Sequence, residues 1–82
     1  MKYYNVIIND EYVSGTPIEL VKKMSEQHFF NKYESLEDYI EQVTHDIWRL
    51  YTIGITINGI TLEEKCEQLI EQLIHHGLLK TF

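Results

Sequence analysis

Three helix-start signals constrain the fold of this chain more than any other feature of its sequence. In a capping box, a Ser or Thr caps the helix and an acidic or Gln side chain three residues later bonds back to it. Such pairs occur at residues 16–19, 35–38 and 61–64, and Pro17 strengthens the first pair because proline suits the opening position of a helix. The sequence therefore predicts three helices with defined starting points.

Apolar residues follow each of these signals at the three- and four-residue spacing of a buried helix face. The second helix shows this most clearly, and the third is expected to end at Gly77, a residue suited to the left-handed position after a helix. The predicted buried faces are Leu20, Val21, Met24 and His28 in the first helix, Leu36, Tyr39, Ile40, Val43, Ile47, Leu50 and Tyr51 in the second, and Leu62, Cys66, Leu69, Ile70 and Leu73 in the third.

The remaining segments favour strands. Residues 3–8 are rich in β-branched and aromatic side chains, and after the turn at 9–11 the chain can return through 12–14 as a hairpin. Ile53, Ile55 and Ile57 alternate with smaller residues and predict a third strand. Two alternatives stay open: a hairpin that returns through Ile60 and Leu62, and a short strand in the tail at 79–82.

These elements predict an α+β fold in the order β-β-α-α-β-α, with a small antiparallel sheet packed on one face by three helices. The chain of 82 residues is expected to form a single domain, 1–82. It has no internal repeat and no low-complexity tract that would divide it.

The charge of the chain is unevenly distributed. The net charge is −6; residues 1–33 hold four acids and four bases, whereas residues 34–82 hold nine acids and three bases. Because a polyanion repels phosphate backbones, direct binding to nucleic acid is disfavoured. An acidic surface suits a basic protein surface instead, although acidity also keeps a small protein soluble without any further role.

The sequence shows no targeting segment. The longest apolar run near the start is only Val6, Ile7 and Ile8, too short for a signal peptide or a membrane span. Cys66 is the single cysteine, which excludes an internal disulfide. We therefore expect a cytoplasmic protein without a membrane partner.

No residue pattern predicts catalysis. Cys66 lies in an apolar helix face and is expected to be buried and inert, and His75 and His76 suit the negative end of a helix dipole. Asp38 and His45 could bind a divalent ion weakly together with Glu41, but no fourth ligand is evident. The sequence predicts a protein that is not an enzyme, with no catalytic residue, no resident metal and no cofactor.

Trp48 is the most informative single residue. With 100° per residue and the apolar face centred on Val43, Trp48 falls about 140° away, on the solvent side of the second helix. An exposed Trp is often an anchor in an interface; alternatively, the aromatic segment 29–33 or the tail covers it. The predicted partner-binding surface is the acidic side of this helix and comprises Glu34, Asp38, Glu41, His45 and Trp48.

A second candidate surface is the outer face of the sheet. Tyr3, Asn5 and Ile7 share that face, and helices cannot easily cover both sides of so small a sheet. This surface is predicted to support a homodimer or a partner contact. The aromatic residues Tyr3, Tyr12, Phe29, Phe30 and Tyr33 keep a further alternative open, a nucleotide or small-molecule sponge.

The chain resembles the short acidic accessory proteins of phages and other mobile elements. The resemblance lies in its size, its charge and its N-terminal strand pair, together with the helix entries at 14–17 and 35–39 and the 57–59 turn before the third helix. Several such proteins, including anti-CRISPR proteins, block host defence. The resemblance implies a non-enzymatic inhibitor that binds a basic protein, such as a nucleic-acid-binding defence protein, in the host cytoplasm. A homo-oligomeric structural or regulatory subunit is the remaining alternative.

Overall fold

The computed structural model describes residues 2–26 and 35–82, which form an α+β fold. A three-stranded antiparallel sheet in the order β2-β1-β3 accompanies three helices. The predicted fold class is thereby confirmed. The elements are β1 (Tyr4–Ile8), β2 (Glu11–Gly15), α1 (Pro17–Glu26), α2 (Leu36–Tyr51), α3 (Leu62–His75) and β3 (Lys80–Thr81).

The N-terminal hairpin forms as predicted. Ile8 pairs with Glu11, so that Asn9 and Asp10 alone make the turn, and both have positive φ angles of 48° and 65°. Tight hairpin turns of this kind need two successive left-handed residues, which Asn and Asp tolerate better than most. Alternation along β1 places Val6 in the core, where it is fully buried.

All three predicted capping residues begin their helices. Ser35 and Thr61 accept hydrogen bonds from the backbone N–H groups of Asp38 and Glu64, each at 3.2 Å. At the start of α1, the backbone N–H of Thr16 donates to the Glu19 carboxylate at 3.1 Å. These bonds satisfy backbone donors that the first helical turn leaves without partners.

The end of α3 turns the chain back towards the sheet. Gly77 has a φ of 73°, and the backbone N–H of Leu78 donates to the carbonyl of Leu73 at 2.9 Å. This is the Schellman arrangement expected of a glycine after a helix. It directs the tail onto β1, where Val6 pairs with Thr81.

The core lies between the inner face of the sheet and the three helices. Its fully buried members come from β1, α1 and α3, and α2 contributes Tyr39, Ile40, Val43 and Ile47. Leu50 and Tyr51, predicted to be buried, are 68% and 58% exposed. The helical spacing of apolar residues in α2 thus continues beyond the residues that reach the core.

The third strand differs from the prediction. Residues 52–59 form no ladder with the sheet; the third strand is β3 in the tail, the alternative that the sequence left open. The observed order is therefore β-β-α-α-α-β. Ile53, Ile55 and Ile57 nevertheless alternate as half-buried residues with exposed neighbours, as predicted, because they pack against the helical core.

Candidate functional site

Two glutamines of α3 hold the segment 53–59 in place of a neighbouring strand. The Gln72 amide accepts a hydrogen bond from the backbone N–H of Thr56 at 3.1 Å and donates to the Thr56 carbonyl at 2.5 Å. The Gln68 carbonyl oxygen accepts from the backbone N–H groups of Asn58 and Gly59 at 2.7 and 3.0 Å. Gln72 thus reproduces with its side chain the double hydrogen bond of an antiparallel strand pair.

The spacing of these contacts fits an extended chain that runs antiparallel to α3. Two residues of extended chain rise about 6.6 Å, and four residues of helix rise about 6 Å. The step from Thr56 to Asn58 therefore matches the step from Gln72 to Gln68. In an extended chain the N–H and C=O groups of successive residues point to opposite edges. Since those of Thr56 face α3, those of Ile55 and Ile57 face the other edge of the segment.

A groove of about 300 Å³ lies between this segment and the outer side of α2. We call it the α2 groove. Its walls combine carboxylates and a hydroxyl from α2 with two isoleucines from the segment and one lysine from α3. The lining residues are Glu37, Ile40, Glu41, Thr44, Ile55, Ile57 and Lys65.

The two carboxylates of the α2 groove differ in their partners. Lys65 donates to Glu37 at 2.6 Å, and this hydrogen bond raises the pKa of Lys65. The Glu41 carboxylate has no hydrogen bond or ion pair with any other residue in the described part of the chain. Glu41 is also exposed, so it presents a negative charge that a partner can neutralise.

Trp48 lies one helical turn beyond Thr44 and two turns beyond Glu41, which places it on the same side of α2. Its side chain is 56% exposed. The tail, predicted as one possible cover, instead joins β1, where Phe82 donates its backbone N–H to the Asn5 carbonyl at 3.2 Å. The other proposed cover, residues 29–33, lies outside the described residues.

The remaining residues of the predicted partner-binding surface are not part of the α2 groove as the structure describes it. Asp38 and His45 are exposed on α2, and neither lines the α2 groove. Glu34 lies outside the described residues. No group of three His, Cys, Asp or Glu side chains within 2–26 and 35–82 could hold a metal ion.

The outer face of the sheet is also accessible. Tyr3 is 66% and Tyr12 73% exposed, and the ring of Tyr12 meets that of Phe82 edge to face with centroids 4.8 Å apart. Asn5 is exposed and accepts a hydrogen bond from the Ser14 hydroxyl at 2.6 Å. With the half-buried Ile7 between β2 and β3, these residues form a mainly aromatic surface.

Cys66 is fully buried, as predicted. Burial raises the pKa of its thiol to about 11, because the low-dielectric core disfavours the thiolate. A thiol in this state is a poor nucleophile. Among the described residues, no helix is both long enough and apolar enough to cross a membrane.

The residues that shape the groove from α3, namely Gln68, Gln72 and Lys65, were not identified from the sequence. Gln68 and Gln72 are spaced four residues apart on the flank of the apolar face of α3, which is the one signal that the sequence offered. Lys65 is placed by a contact between helices, with Glu37 as its partner, and no local pattern predicts such a pair.

Comparison of the chain with protein-family models, with curated proteins and with solved structures finds no match.

Proposed function

We propose that this protein acts by binding a basic protein through the α2 groove and Trp48, without catalysing a reaction. The observation that carries the proposal is the alignment of an exposed Trp48 with the unpaired Glu41 on one side of α2. Aromatic anchors beside charged groups are typical of the residues that dominate binding energy. The resemblance to phage accessory proteins favours an inhibitor of host defence as the form of this activity.

Charge supports a basic partner. The net charge of −6 arises entirely within residues 34–82, which include both α2 and the segment 53–59. Such a field accelerates encounter with a positive surface and repels nucleic acid. A basic nucleic-acid-binding protein, whose own ligand is a polyanion, fits this surface.

Affinity capture from a host lysate with matched variants tests the proposal. Trp48→Ala and Glu41→Lys should each reduce recovery of the same bound protein by about tenfold, since loss of an anchor typically costs more than 1 kcal/mol. The controls are Tyr12→Ala, which removes another exposed aromatic side chain on the sheet, and Glu26→Lys, the same charge change on α1. Equal recovery by all five proteins would contradict the proposal.

A second candidate function, a homo-oligomeric subunit, is favoured by the aromatic outer face of the sheet. That face carries Tyr3, Tyr12 and Phe82, and Lys80 is its one charged side chain within the described strands. Two acidic molecules repel each other least when such weakly charged faces meet. Light scattering over a concentration series should then show a dimer that Tyr12→Ala abolishes; a monomer at every concentration would exclude it.

A further inference from the structure

The segment 53–59 has one satisfied edge and one open edge. Gln68 and Gln72 bond the backbone of Thr56 and Asn58 on the α3 side. Within the described residues, the backbone N–H and C=O groups of Ile55 and Ile57 make no hydrogen bond with another part of the chain. Although the segment is not a strand of the sheet, its unpaired backbone groups can serve, as those of a sheet edge do, as a template on which an extended chain pairs.

The open edge adjoins a space that can receive such a chain. Ile55 and Ile57 both line the α2 groove, which has a volume of about 300 Å³ and lies between the segment and α2. Addition of a strand satisfies backbone groups for affinity, and the pockets along the groove select side chains. The α2 groove is lined by isoleucine and glutamate side chains, which suit a peptide in which apolar and cationic residues alternate.

The charge of the α2 groove selects among occupants. Lys65 forms its direct ion pair with Glu37 and acts on Glu41 only through the weaker coulombic interaction, so these three side chains together carry one net negative charge. A second copy of this protein would bring another −6 and another Glu41 against the first. A chain with lysine or arginine at alternate positions avoids that repulsion and can form the direct ion pair that Glu41 lacks within the described residues.

We propose that the α2 groove binds an extended basic peptide segment, which adds as a strand to the open edge of Ile55 and Ile57 and places a cation on Glu41. This inference rests on the proposed function and specifies the form of the partner. Trp48, beyond the end of the groove, packs against the same peptide. The unpaired edge, the groove and the charge of Glu41 together carry the proposal.

Amide NMR with two synthetic probes tests it. The first probe is a peptide of about ten residues, a usual upper length for one strand, that alternates Lys and Val. The second has the same sequence and charge but carries N-methyl groups on alternate residues, so that one of its edges cannot donate hydrogen bonds. We expect the first probe to shift the amide signals of Ile55 and Ile57 and to slow their hydrogen exchange.

The second probe should bind about tenfold more weakly, the effect of losing two or three backbone hydrogen bonds. Glu41→Gln should weaken the binding of both probes, each by about tenfold. Glu26→Gln, the same change at an exposed position of α1, is the control for a change of charge outside the groove.

The outcomes separate the inference from the proposed function. If both probes bind equally, shift Trp48 and Glu41 and leave the Ile55 and Ile57 amides unprotected, the groove binds cations without strand addition. The inference is then overturned while the proposed function stands. If neither probe perturbs any residue of the groove or Trp48, the inference is overturned, and lysate capture with the Trp48 variant decides the proposed function separately.

Discussion

Replacement of Gln72 by Met should loosen the segment that forms one wall of the groove. Met resembles Gln in length and in helix propensity but cannot form the two hydrogen bonds to Thr56. The substitution leaves the N–H and C=O of Thr56 without their protein partner. The remaining attachment is then the bonds from Gln68 and the packing of Ile53, Ile55 and Ile57.

The magnitude follows from the two lost bonds. A typical hydrogen bond contributes about 1 kcal/mol net, and Thr56 is exposed, so that water can replace part of what is lost. We expect the free energy of unfolding to fall by about 1–2 kcal/mol. For a domain of this size, each kcal/mol lowers Tm by about 4–8 °C.

Urea denaturation followed by far-UV circular dichroism measures the change. The matched control is Gln42→Met, the same substitution at an exposed position of α2 where Gln42 makes a single surface hydrogen bond to Asp46. This control should shift the free energy of unfolding by less than about 0.5 kcal/mol. The reasoning is refuted if Gln72→Met unfolds at the same urea concentration as the wild type, or if the two variants lose equal stability.

Three further predictions concern the rest of the fold. Cys66, buried and with a raised pKa, should react with a thiol reagent only at the rate of unfolding in a native-state labelling experiment; immediate labelling would contradict its burial. Hydrogen bonds from Lys2 at 2.6 Å and Tyr4 at 2.8 Å lower the pKa of Glu71. Because the folded pKa lies below the unfolded value, this stabilisation is present above the ordinary Glu range and is lost as pH falls through the folded pKa. Lys2→Met should therefore reduce how much the free energy of unfolding falls over this acidic pH range. An unchanged pH profile would refute the role of Lys2 in lowering the pKa of Glu71. Gly77→Ala should lower the free energy of unfolding, measured by urea denaturation, by about 1–2 kcal/mol. The added methyl group has open space around it, so the cost is that of an alanine at positive φ; an unchanged free energy would contradict the Schellman ending of α3.

The sequence predicted the elements whose signals are local. Each helix start depends on a capping residue and an acid three positions later, as at Ser35 and Asp38, and the chain carries that information within one turn. Helical geometry placed Trp48 on the solvent side of α2 in the same way, but whether another segment covers it stayed open in the sequence, and the structure leaves its side chain 56% exposed.

The third strand could not be assigned from the sequence because its position depends on contacts between distant segments. The alternating isoleucines 53, 55 and 57 show only that one side of the segment is half-buried, which is equally true of a strand and of a chain bound to a helix. Lys80 and Thr81 form a strand of two residues, too short for any periodicity. The groove was missed for the same reason, since it requires Gln72 to replace the neighbouring strand.

The binding surface itself is tested most directly through the single tryptophan of the chain. Incorporation of 5-fluorotryptophan gives one ¹⁹F signal that reports on Trp48 alone, and the measurement is its chemical shift on addition of the protein captured from lysate. We predict that the signal shifts on binding, and that Glu41→Lys weakens the apparent affinity about tenfold while Glu26→Lys does not. A complex that forms while the Trp48 signal stays unchanged would contradict binding through this surface, because the partner would then bind elsewhere.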